Sequence, residues 1–195
     1  MKYYITFLLI FISLFSFAQN EIIDNIMQKW ENSRNVKYIK AIEKEIKKNP
    51  HNFKGYIALS TIYLYLEKTD IQIQTLTKGI AFNPNNWHLY YLRGRTYYTI
   101  KNYRDALQDF NAALKLNNSQ NFTSKILYSL GSTKLKLHDA PGVYDDLFKA
   151  FQLDSTHIGI LTSLAQAAKK NKKYEDEYGD EVNNLINSNC HNLFY

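Results

Sequence analysis

The stretch WHLYYLRGRTYYTIKNYRDALQDFNAALKLNN, residues 87–118, decides the architecture of this chain. Tyr90, Gly94 and Tyr97 fall at i, i+4 and i+7, on one face of a helix predicted over residues 87–100. A glycine inside a helix costs about 1 kcal/mol relative to alanine. Gly94 therefore points to a second helix that approaches closely. Lys101-Asn102 interrupts the pattern, and residues 103–116 resume it with Ala106, Phe110, Ala113 and Leu114 on one side. Small residues opposite aromatic ones let two helices interlock, and so short a turn makes them antiparallel neighbours.

The landmarks recur. Tyr63 and Tyr97 lie 34 residues apart, as do Pro50 and Pro84, and Ser60 and Gly94. Downstream, Gly94 to Gly131 and Ala113 to Ala150 are both 37. Because two landmarks shift together, three extra residues are expected in the polar loop 117–121. Gly131 to Ala165 returns to 34.

This pattern resembles the tetratricopeptide repeat (TPR): an aromatic, Leu-Gly and Tyr on the first helix, Ala and Phe on the second, then Pro. Tyr90, Gly94, Tyr97, Ala106, Phe110 and the small Ala113 match it, whereas Arg93 replaces Leu and Asn118 replaces Pro. The resemblance implies an all-α fold, a right-handed superhelical solenoid of about five TPR-like antiparallel helical hairpins. The divisions are a degenerate hairpin over 19–52, repeats over 53–86, 87–120 and 121–157, and a capping hairpin with a tail over 158–195. In the first hairpin, Ile22, Ile26 and Trp30 line one helix and Tyr38, Ile42 and Ile46 the other. In the second, Asp70 is read as an N-cap, and Gln72 stands where the family has Ala. In the fourth, Lys134 replaces the Tyr and Pro141 marks a helix start.

Residues 1–18 combine a basic start (Lys2), an apolar run from Ile5 to Phe17, and the small Ser16 and Ala18. They read as a secretory signal peptide cleaved after Ala18, which places the mature chain outside the cell, in the periplasm or in the envelope. The run is short for a membrane span, and no transmembrane helix is expected after cleavage. An uncleaved anchor is the alternative reading.

Of 195 residues, 45% are hydrophobic, enough for a sizeable core. The net charge of +6 is spread rather than blocked, which suits either a solvated surface or an acidic partner. The single cysteine, Cys190, makes no internal disulfide and is read as a free thiol or an intermolecular partner. The five histidines form no i, i+4 pair, and HExxH, CxxC, P-loop, dinucleotide and G-x-S-x-G patterns do not occur. Asp145-Asp146 reads as a solvated face. No catalytic, cofactor-binding or metal residue is assigned.

By resemblance, the first helix of each hairpin lines a concave groove that binds a peptide or partner helix. The groove positions include Lys54, Tyr65, His88, Tyr91, Arg95, Tyr98, Lys125, Tyr128 and Lys136, with Ser132 and Gln166 among their neighbours. Tyr and cations dominate this surface, and no acid is expected on it. Tyr and Arg are common hot-spot residues, so a protein segment carrying acidic and apolar groups is the expected partner. The same tyrosines are also what a chain with 15% aromatic residues would carry without a groove. The carboxylate clamp of chaperone-binding TPRs is not matched, because Ile57, Tyr91 and Tyr128 occupy its lysine points. A nucleic-acid-binding helical repeat is the alternative, but the export signal opposes it, and no nucleic acid is expected.

Overall fold

The computed structural model describes residues 2–137, 142–170 and 184, with side chains from residue 18 through 167 apart from residues 138–141. Nine helices form among the described residues: α1 (Lys2–Ser33), α2 (Lys37–Lys48), α3 (Phe53–Tyr65), α4 (Thr69–Phe82), α5 (Trp87–Thr99), α6 (Tyr103–Leu116), α7 (Gln120–Leu137), α8 (Val143–Leu153) and α9 (Ile158–Lys170). The fold is all-α and of the helical-hairpin repeat kind. Apart from residue 184, the expected helix over 174–187 lies outside the described residues, as do the tail 189–195, Cys190 and the start at Pro141. The chain divides into two compact units, Met1–Leu89 and Tyr90–Tyr195.

In the first unit, α1 runs unbroken from the apolar N-terminal segment into the first hairpin. No helix among the described residues is long and apolar enough to cross a membrane. The buried face of α1 is Ile23 and Trp30, not Ile22: Ile23 is 2% exposed and Ile22 44%. Adjacent isoleucines made the phase ambiguous by one residue, and packing against α2 and α3 settles it. Ile42 and Ile46 of α2 are buried as the apolar spacing implied. Asn52 caps α3, its side chain accepting the Lys54 amide at 3.1 Å. Asp70 is no N-cap. The helix begins at Thr69 after Lys68, and Asp70 lies in the first turn, where its charge favours the helix dipole. Gln72, which stands where the family has Ala, is buried at the start of α4.

The turn between helices of a hairpin is built the same way twice. Glu67 and Lys101 both adopt positive φ, at 57° and 63°. The Lys68 amide donates to the Tyr63 carbonyl and the Asn102 amide to the Tyr97 carbonyl, both at 2.9 Å. This is a Schellman closure with a non-glycine residue at the left-handed position. Because that conformation is costly for a side chain, Lys101→Gly should stabilise the chain by about 1 kcal/mol. It should raise the thermal midpoint by roughly 2–4 °C. An unchanged or lowered midpoint in a melting curve counts against this turn geometry.

In the second unit, Gly94 lies against α6: a Cβ there would meet Phe110 Cε1 at 2.9 Å. Gly131 lies against α8 in the same way, with Leu147 Cγ 2.5 Å from where its Cβ would be. Leu127, Leu147, Ala150, Phe151, Leu161 and Leu164 belong to one buried cluster joining α7, α8 and α9. The extra residues of this repeat do not lengthen the loop. Only residues 117–119 separate α6 from α7, and α7 has 18 residues against 13 in α5. Gln120 and Asn121, polar and exposed, extend the first turns of α7 instead. Near that junction the Asn117 side-chain amide donates to the Ser119 carbonyl at 2.9 Å and to Thr123 at 3.0 Å, which fixes the turn.

Two of the departures from the repeat pattern, Arg93 and Lys134, are ion-paired. Arg93 grips Asp109 with two bonds, Nε to Oδ2 and Nη2 to Oδ1, each 2.8 Å. Lys134 Nζ meets Asp146 Oδ2 at 2.5 Å, so Asp146 is not part of a purely solvated face. Asp109 and Asp146 are 37 residues apart and occupy the same repeat position. The first is met by Arg93 and the second by Lys134, one turn further along its own helix.

Candidate partner-binding site

Three helices of the second unit supply the site. On α5, Tyr91, Arg95 and Tyr98 follow one another at i, i+4 and i+7, so they share a face. On α7, Lys125, Tyr128, Ser132 and Lys136 do the same at spacings of three and four. Tyr91 and Tyr128 are 37 residues apart, so the repeat period sets the two stripes in register.

Between them lie two adjoining cavities. One of about 440 Å³ is lined by Tyr91, Arg95, Tyr98, Lys125, Tyr128 and Ser132, with His157 at its border. The other, about 400 Å³, is lined by Tyr98, Tyr128, Ser132, Leu135, Lys136 and Gln166. Tyr98, Tyr128 and Ser132 form the shared wall. No acidic residue lines either cavity. Arg95, Lys125 and Lys136 have no ion-pair partner among the described residues.

The aromatic rings are held rather than loose. Tyr98 packs edge-on against Tyr103, with centroids 5.4 Å apart. Tyr91 leans on Phe110 at 5.9 Å, and the Arg95 guanidinium lies 5.9 Å from the Tyr91 ring centre. Burial, with Tyr103 and Tyr128 nearby, pushes the Tyr98 phenol above its usual value. Tyr98 thus stays a neutral hydroxyl that can donate to a partner's carboxylate or carbonyl. The Ser132 hydroxyl is buried without a hydrogen-bond partner among the described residues. A buried, unmatched hydroxyl costs about 1–3 kcal/mol, and a ligand group in either cavity would satisfy it.

Six of the groove positions read from sequence therefore come together: Tyr91, Arg95, Tyr98, Lys125, Tyr128 and Lys136. The other three lie in the first unit and have different surroundings. Lys54 pairs with Asp24 of α1 at 2.9 Å, so an acid does lie on this part of the surface. Tyr65 packs edge-on against Trp30 at 5.3 Å, with the Arg34 guanidinium 4.5 Å from its ring centre. His88 stacks on Trp87 at 5.0 Å. His157 is not among the positions read from sequence, because it stands just before the last hairpin, expected from residue 158. Its ring lies 5.1 Å from that of Tyr128. The signal was its place just before α9, where a first helix enters the same face.

The fold defines a helical-hairpin repeat protein, and among the described residues no group of His, Cys, Asp or Glu could hold a metal ion. Residues 87–119 match the family model of the tetratricopeptide repeat. No curated protein matches the chain. Among solved structures, MamA is 18% identical with a TM-score of 0.72, covering 87% of this chain and 97% of its own. PilF of Pseudomonas aeruginosa is 17% identical with a TM-score of 0.71, covering 88% and 78%. YrrB, described as a TPR protein with an unusual peptide-binding site, is 17% identical with a TM-score of 0.68, covering 78% and 75%. At these identities the likeness shows the fold: a TPR-type hairpin repeat.

Proposed function

We propose that this chain is a non-enzymatic interaction scaffold, exported through a signal cleaved after Ala18, that holds a partner segment against α5, α7 and α9. The observation that carries this is the pair of cavities between the α5 and α7 stripes. They are rich in tyrosine, border three cations without ion partners among the described residues, and have no acid in their described lining. Such a surface favours a segment whose carboxylates reach Arg95 and Lys125 while apolar groups cover Tyr98 and Tyr128. YrrB, with its peptide-binding site, shares the hairpin-repeat fold, which makes peptide capture a reasonable use of this face.

The test is capture in an envelope extract of the host, by crosslinking to the full chain and to an Arg95→Glu/Lys125→Glu variant of equal helicity. Both substituted residues are exposed, so the variant should fold normally. The expected result is a partner held by the first and lost by the second. The chain recovered from the envelope should begin at Gln19 by mass spectrometry. Equal capture by both proteins would move the interface elsewhere, and a recovered chain that begins at Met1 would exclude cleavage.

A further inference from the structure

The first unit carries an open cavity of about 600 Å³ between α2 and α4, on the floor formed by α3. Its walls carry the apolar Ile46, Leu59, Ile71 and Phe82 and the polar Gln74 and Thr75. Of these, Ile71 and Phe82 are unusually exposed for large apolar side chains, at 40% and 36%. The size lies within the range of small-molecule sites, roughly 300–1,000 Å³. From Ile71 to Phe82 the α4 wall is about 16 Å long, at 1.5 Å per residue.

Three features say what would fill it. Tyr56 lines the cavity and is only 1% exposed, yet its hydroxyl has no hydrogen-bond partner among the described residues. Burial pushes that phenol above its usual value, so it stays a neutral donor. Lys47 on α2 and Lys78 on α4 stand on opposite walls, and neither is ion-paired among the described residues. The lining holds one acid, Glu43, and burial together with that acid raises the Tyr63 phenol above its usual value. Finally, Pro50 and Phe82 line one end. Beside Pro50, His51 Nδ1 donates to the Phe82 carbonyl at 2.8 Å, and the Tyr56 and Phe82 rings lie nearly parallel at 6.5 Å. The apolar side chains along the cavity suit an alkyl group.

We propose that this slot binds an anionic single-chain amphiphile. Its alkyl chain lies along Ile46, Leu59 and Ile71. Its acidic head sits between Lys47 and Lys78 and accepts a hydrogen bond from Tyr56. The chain could come from a free fatty acid or from an anionic lipid.

The test titrates the full chain with dodecanoate, below its micelle concentration, beside dodecanol and two variants. Lys47→Glu/Lys78→Glu reverses two exposed charges, and Tyr56→Phe removes only the orphan hydroxyl. Saturable one-to-one binding of dodecanoate but not dodecanol is expected. Affinity should fall at least tenfold in the charge variant and about fivefold in Tyr56→Phe. Tyr56→Phe should also melt no lower than the natural chain, since it removes an unmatched buried group. That combination separates ligand binding from a structural role. The apolar N-terminal run is present in every variant, so amphiphile adsorbed there would not distinguish them. Binding that is not saturable, or that is equal in all variants, overturns the proposal. A parallel titration with lysophosphatidylglycerol, an anionic lipid with one acyl chain, identifies the source. Binding that depends on Lys47 and Lys78 assigns an anionic lipid, and dodecanoate binding without it assigns the free acid.

Discussion

Asp109→Ala should lower the stability of the chain by about 3 kcal/mol, because it leaves the Arg93 guanidinium facing a partly dry interface without its partner. Asp109 is 3% exposed, and both its oxygens accept from Arg93. The figure is taken at the low end for buried pairs because the Arg93 side chain keeps 17% exposure. The double replacement Arg93→Leu/Asp109→Ala should recover most of the loss, since apolar substitutes for a buried pair are often neutral. Denaturant unfolding of the two variants is the check. A loss below about 1 kcal/mol for the single change would mean that Arg93 finds solvent or another acid.

Burial pushes the Asp109 carboxyl above its ordinary value, although Arg93 pulls it the other way. The folded state then holds that proton more tightly than the unfolded chain does. Stability from this group is highest in acid and declines as pH rises from the unfolded Asp value through the higher folded one. The decline should be absent in Asp109→Asn.

The second large effect is at Gly131. A methyl there would be 2.5 Å from Leu147 Cγ, and Leu147 is fully buried, so the side chain has little room to move. Gly131→Ala should therefore cost about 1–3 kcal/mol, even though alanine favours the helix by about 1 kcal/mol. Leu147→Ala alone should cost about 2–5 kcal/mol through the cavity it leaves. In the double variant the new methyl enters the vacated space. The Gly131→Ala cost should then vanish or change sign, with a coupling of about 1–3 kcal/mol. Additive losses would mean that α7 and α8 do not press together at this point.

What the sequence disclosed follows from the physics of each feature. The positions of Tyr90, Gly94, Tyr97 and Ala113 recur with a period of 34 or 37 residues, and a helix turns spacing into a face, so the hairpins are legible in the sequence. The site stripes were readable for the same reason, since Tyr91 and Tyr128 inherit their register from the repeat. The Arg93–Asp109 pair was not. Its members lie on two helices, and each looked like a local departure or an ordinary polar residue. Ile22 was mistaken for a core residue because its neighbour Ile23 is equally apolar and periodicity cannot choose between them. The extra residues before Gly131 were assigned to a loop because Gln120 and Asn121 are polar, yet an exposed first turn accepts polar side chains. The slot beside Tyr56 had no sequence signature, because it depends on where α2 and α4 stand relative to α3.

The most direct test of the scaffold reading is a selection of random peptides displayed on phage against the full chain, with counter-selection on an Arg95→Glu/Tyr98→Ala variant. Peptides that combine Asp or Glu with Leu or Phe should be enriched and should bind the variant at least tenfold more weakly in a fluorescence anisotropy titration. Enriched peptides without acidic residues, or with equal affinity for both proteins, would contradict the assignment of this face to an acidic partner segment.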